Sequence, residues 1–175
     1  MLINFLTNTK ESLHMNKFLK TTLTLILLTF SMQLFALTDA EEIEFAGAVN
    51  EGKLPIVKKY IEVKKVDINA TYFAWSPLLM AASKGQLQTL KYLVDHGADI
   101  NYTHPLTKMN AFHHAAFDGR TDIVKYLASK GADINKKMKG GVSIVRVVKD
   151  KGDTKMVDVL LSLGVSEEGC EEKCL

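Results

Sequence analysis

The residue types able to do chemistry in this chain are five histidines, two cysteines and scattered carboxylates. The histidines are His14, His96, His104, His113 and His114. Imidazoles act as metal ligands or proton carriers when several converge on one point. His113 and His114 are sequence neighbours, so on a helix they face different ways and do not share a metal ion. His96 stands just before Gly97, at an expected helix C-terminus, where a donor or cation suits the open carbonyls. Cys170 and Cys174 form a Cys-x3-Cys pair among Glu167, Glu168, Glu171 and Glu172. Two states are open for them. An oxidising compartment favours a disulfide closing a small loop, and the alternative is free or metal-bound thiols, for which two Cys without a nearby His are a weak set. Their spacing is not the Cys-x-x-Cys of oxidoreductases. There is no Gly-rich phosphate loop, no Gly-x-Ser-x-Gly and no His-Glu-x-x-His, so no nucleophile stands with a recognisable base. The residues point to no enzyme, no cofactor and no metal.

The elements that hold these residues follow from pattern. The chain has 175 residues, 47% apolar and 24% charged, enough for one packed domain plus a targeting segment. The formal net charge of +2 lies entirely at the front, where Lys10, Lys17, Lys20 and Glu11 precede Leu37 and leave 19 basic and 19 acidic residues after it. A neutral body lacks the electrostatic footprint of a nucleic-acid or anionic-membrane binder.

Residues 1–36 are expected to be a signal peptide. From Met15, Lys17 and Lys20 form a basic start, Thr22 to Phe30 a short apolar stretch, and Leu34-Phe35-Ala36 ends on a small residue, which is the order of a cleavable export signal. Cleavage after Ala36 releases a chain that turns polar at once. A retained anchor is disfavoured, because a span needs about 20 mostly apolar residues and this stretch is shorter and holds several Thr. No stable membrane span therefore remains after signal removal. Translation starts at Met1 or at Met15.

A repeat of about 33 residues organises the chain beyond Leu37. Ser76-Pro77-Leu78-Leu79 through Ala81-Ala82 and Gly85 to Gly97-Ala98-Asp99-Ile100-Asn101 recurs 34 residues later as Asn110-Ala111-Phe112-His113 through Ala115-Ala116 and Gly119 to Gly131-Ala132-Asp133-Ile134-Asn135. Weaker copies flank these two, and the glycines at 52, 85, 119 and 152 step by 33, 34 and 33. The Ala pairs predict closely packed first helices, since a methyl is the smallest side chain that still favours helix. The glycines predict left-handed helix ends. Leu90, Leu93 and Val94, and then Ile123, Val124 and Leu127, fall on one face of a second helix. Pro77 suits a first helical turn.

These motifs resemble the ankyrin repeat, whose Thr-Pro-Leu-His opening appears as Ser76-Pro77-Leu78-Leu79 and, more loosely, as Asn110 to His113. The resemblance runs from about Asp39 to Val165. The expectation is an all-α solenoid of four helix-turn-helix repeats, at about 39–71, 72–104, 105–138 and 139–165, with the outer two degenerate as terminal repeats are. The whole repeat domain is residues 37–165, and residues 166–175 are an acidic tail holding the two Cys. The fourth copy departs most, with Ser143 to Arg146 in the opening and Val148-Lys149 for the Ala pair. By the same resemblance, His113 occupies a slot where the imidazole bonds backbone between repeats.

Ankyrin domains bind with finger loops and a concave row of first helices, which the resemblance maps to fingers at about 70–75, 102–109 and 136–142. The expected partner-binding residues are Tyr72, Phe73, Trp75, Lys84, Tyr102, His104, Lys108, Phe117, Asp118 and Lys137. The first finger carries three aromatics, including the only Trp. Water-facing loops gain nothing from such a cluster unless a partner covers it, and Trp and Tyr recur at binding hot spots. The alternative is that Phe73 or Trp75 folds back on Tyr102 or the next repeat. Lys136, Lys137 and Lys139 make the third finger basic, which suits an acidic partner. The signal segment, the four repeats and the aromatic finger together lead to the expectation of a periplasmic or secreted module that binds another protein. It leaves two alternatives: a periplasmic accessory to catalase or haem delivery in peroxide defence, with His104, His113, Tyr72 and Tyr102 as contacts, and a secreted host-directed effector.

Overall fold

The computed structural model describes residues 37–167. The expectations for the signal segment and for Cys170 and Cys174 lie outside these residues. Eight α-helices fall into four successive pairs among the described residues. The first helices are α1 (Asp39–Glu51), α3 (Pro77–Lys84), α5 (Ala111–Phe117) and α7 (Ile144–Asp150). The second helices are α2 (Leu54–Lys58), α4 (Leu87–Asp95), α6 (Thr121–Ser129) and α8 (Thr154–Ser162). The structure is an all-α stack in which α1, α3, α5 and α7 pack side by side in a row.

Each first helix starts at a side-chain cap. Thr38, Ser76, Asn110 and Ser143 each accept the backbone N–H three residues on, which satisfies one of the open donors of a helix start. Ser143 shows that the fourth copy keeps the cap although its opening tetrapeptide differs. Ala81, Ala82, Ala115 and Ala116 are fully buried where α3 meets α5. The loop from first to second helix turns at Gly85 (φ 78°). A Cβ there would adopt a disfavoured φ and press on the Arg120 side chain of the next pair, 3.0 Å away, so glycine is favoured.

The Asp-x-Asn endings act as clasps between neighbouring pairs. Within one ending, Asp99 Oδ1 accepts the Asn101 N–H at 2.9 Å. The side-chain oxygens of Asn69, Asn101 and Asn135 then accept the N–H of Asp99, Asp133 and Ser166, each at 2.8 Å. One short motif thus folds its own turn and bonds the next pair.

The first pair carries an irregularity that the residue count requires. Gly52 to Asp67 is one residue longer than Gly85 to Asp99 or Gly119 to Asp133. The extra residue is absorbed as a π-helical turn, Lys59–Val63, that continues α2, the usual way a helix takes a single insertion. Tyr60 still reaches the core slot of Leu93, Leu127 and Leu160, fully buried, with its ring 5.5 Å from Phe45. Lys65 then occupies the left-handed slot held by Gly97, Gly131 and Gly164, at φ 57°. A side chain in that conformation costs about 1 kcal/mol. Lys65→Gly is therefore expected to raise stability by up to about 0.5 kcal/mol after the entropy of glycine is counted, readable as a higher urea midpoint with unchanged m. A lower midpoint would contradict the strain.

Candidate functional site

The first finger is a two-residue hairpin. Tyr72 N–H donates to the Trp75 carbonyl at 2.9 Å, and Trp75 N–H to the Tyr72 carbonyl at 3.0 Å. Phe73 (φ 51°) and Ala74 (φ 69°) form its tip, both left-handed. That is a type I′ turn, which normally takes Asn and Gly. Here a Phe stands at the tip, and it is 100% exposed.

The three aromatics of this finger do different things. Tyr72 is half-buried with its ring edge-on to Phe45 at 5.8 Å. Burial, with Glu42 and Asp67 nearby, pushes its hydroxyl pKa up to about 12, so it stays neutral. Trp75 folds back, 5.5 Å from the His104 ring and 4.7 Å from the His114 ring. Phe73 alone projects freely. An exposed ring and a folded-back ring are thus both present, divided between Phe73 and Trp75.

The second finger braces the first. Tyr102 Oη donates to the Ala74 carbonyl at 3.0 Å. His104, expected on the loop surface, is instead buried beneath Trp75. Its backbone closes the loop by donating to Met109 and accepting from Lys108, which turns the ring inward. His104 Nδ1 and His114 Nε2 are both buried without a hydrogen-bond partner. Lys108 (φ 60°) and Leu106 sit at the tip, with Leu106 71% exposed. The third finger bonds the second through Lys139 N–H and the Thr107 carbonyl at 2.9 Å.

Two adjoining hollows run along the row of first helices beneath the fingers. The first, about 750 Å³, lies over α1 and α3 and is bounded by Ile43, Tyr72, Phe73, Trp75 and Lys84. The second, about 710 Å³, lies over α5 and α7 and is bounded by Trp75, Leu106, Phe117, Asp118 and Lys139. Trp75 and Ser83 border both. Ser83 Oγ donates to Asp118 Oδ2 at 2.8 Å across the shared rim. Of the six exposed large apolar side chains among the described residues, Ile43, Phe73, Leu106 and Phe117 border these hollows. The apolar surface is therefore gathered on one side rather than scattered.

The structure brings together Tyr72, Phe73, Trp75, Lys84, Phe117 and Asp118 around the hollows. Lys108 and Lys137 are exposed on the loops but border neither. Tyr102 and His104 serve as supports. Ile43 and Leu106 were not among the residues expected from sequence. Leu106 carried the signal that marked Phe73, an apolar residue among polar loop neighbours. Ile43 lies at helical spacing from Asp39, Glu42 and Ala46 and passes for a core residue until the stack shows which face is open.

His113 is a structural group. Asn110 N–H donates to its Nδ1 at 3.1 Å, and its Nε2–H donates to the Lys136 carbonyl at 2.9 Å. Both ring nitrogens are occupied, so it offers no lone pair to a haem iron. Burial lowers its pKa to about 4. Among the described residues no three His, Cys, Asp or Glu side chains cluster to hold a metal. No helix among them is long and apolar enough to cross a membrane.

A stack of helix pairs with projecting hairpin loops and an open row of first helices defines a repeat scaffold that offers one extended face. The family model for ankyrin repeats, in three copies, matches residues 45–138, and the chain belongs to that family. Ankyrin repeats are generally non-enzymatic scaffolds for protein–protein interaction. No curated protein matches the chain.

Proposed function

We propose that this chain is an exported module that binds another protein across its first-helix face and first finger. The single observation that carries the reading is Phe73, fully exposed on a strained turn at the rim of an apolar hollow. A solvent-facing turn gains nothing from a Phe in that conformation, and backbone strain of this kind gathers at functional positions. The order of basic, apolar and small residues before Leu37 supports export to the periplasm or beyond.

One preparation tests both parts. Protein recovered from the cell envelope fraction or medium of the source organism is expected to begin near Leu37; recovery only inside the cell with an intact start would remove the export claim. Chain immobilised as bait in an envelope extract is expected to retain a protein that a Phe73→Ser/Leu106→Ser double variant loses. Both substitutions fall on exposed loop tips, so the fold survives them. Equal retention by bait and variant would overturn the assignment of the face.

A further inference from the structure

The charges bordering the two hollows differ from end to end. Asp39 and Glu42 border the first hollow on α1, and neither has an ion-pair partner among the described residues, whereas Glu41 is taken by Lys64 and Glu44 by the Tyr60 hydroxyl. At the other end the second and third fingers carry Lys108, Lys136, Lys137 and Lys139 with no acidic residue in 102–109 or 136–142. Lys139 borders the second hollow. Asp118, the carboxylate at that hollow, is engaged by Ser83. Among the described residues, Lys84 is the one cation at the first hollow. Between the two ends lie apolar floors separated by Trp75.

We propose that the two hollows receive one extended segment of a partner protein. The segment seats one apolar side chain on each side of Trp75, places a cationic residue against Asp39 and Glu42, and places an anionic residue against Lys139. The proposal rests on the protein-binding reading above and adds the chemistry of the bound segment. Two apolar floors set how many anchors the segment has. The acid-to-base gradient sets which way it lies, since like charges brought together across an interface are disfavoured.

Trp75 is the only Trp in the chain and lies between the hollows, so its fluorescence reports occupancy of either. The probes are synthetic peptides in which two leucines, separated by Gly-Ser spacers of graded length, are flanked by Lys-Lys at one end and Glu-Glu at the other, in both chain directions. Controls carry Lys-Lys at both ends, Glu-Glu at both ends, or Ser at both ends. One dipolar peptide is expected to bind about tenfold more tightly than every control at low salt, as two exposed charge pairs allow. The preference should shrink in high salt. In an Asp39→Lys/Glu42→Lys variant the Glu-flanked peptide should become the tightest. Equal binding of dipolar, singly charged and uncharged peptides would overturn the charge assignment and leave an apolar protein-binding face. If no peptide binds while the envelope bait still retains a Phe73-dependent protein, the extended segment is wrong and the partner docks as a folded surface. If the bait retains nothing and no peptide binds, both readings fall.

Discussion

Lowering the pH from 7 to 5 is expected to destabilise the fold by about 2 kcal/mol through His113 alone, rising to about 3 kcal/mol near pH 4. The geometry requires a neutral ring. Nδ1 must accept the Asn110 N–H while Nε2–H donates to the Lys136 carbonyl, so a second proton breaks one bond and places a charge in a fully buried site. Burial holds the folded pKa at about 4, below the ordinary value of about 6.5. The unfolded chain therefore binds the proton first as pH falls. The stabilisation is complete above about pH 6.5 and is lost progressively towards pH 4. His114, lowered mainly by burial and further by His104 although Asp118 opposes it, adds to the loss in the same direction. Melting temperature against pH checks this, with a fall expected before most carboxylates titrate. His113→Gln should lower stability at pH 7 and flatten the profile between pH 7 and 5. A wild-type profile already flat over that range would refute the neutral-ring account.

Replacing Phe73-Ala74 by Asn-Gly is expected to stabilise the free protein by about 1–2 kcal/mol, because each left-handed side chain costs about 1 kcal/mol and Asn-Gly is the preferred type I′ pair. Phe73 has no packing to lose, being fully exposed, and the Tyr102 hydroxyl bonds the Ala74 backbone carbonyl, which the change keeps. The same variant should bind the retained partner and the dipolar peptides more weakly. Thermal melts and Trp75 titrations on one preparation separate the two effects. Gain of stability with loss of binding would show that the aromatic tip is kept for contact at a cost in folding. Unchanged binding would relegate Phe73 to a bystander, and lost stability would mean the turn is not strained.

Several features were legible in the residues because they depend on near neighbours. The helix-ending glycines and the Ala pairs each encode a backbone conformation within a few positions. Repetition multiplied that signal, since each pair meets only its neighbours and the same solution recurs. The motif slot of His113 marked it as a group that bonds backbone, although its partners Asn110 and Lys136 lie within its own repeat rather than across two. The one-residue excess before Asp67 was countable in the chain, but its form as a π turn was not, because an insertion can be absorbed at any of several positions and packing of Tyr60 on Phe45 selects one.

The candidate face divides the same way. Residue types alone marked the first finger as unusual and put Phe73, Phe117 and Lys84 on exposed positions. They did not separate Phe73 from Trp75, because the two rings sit two residues apart with opposite fates, one in water and one between His104 and His114. That division comes from the I′ turn, whose direction depends on the Tyr102 hydroxyl 28 residues away. His104 turned inward for a similar reason, since its own loop closes through Met109. Ile43 became part of the surface only when the stacking of α1 on α3 left its side chain exposed among the described residues. The repeat, its period, its helix-ending glycines and its family were written in the order of residues, because those are local and periodic. Which side chains line the open face emerged from the stacking of the helix pairs, because exposure belongs to the assembled row and not to any single residue's neighbours along the chain.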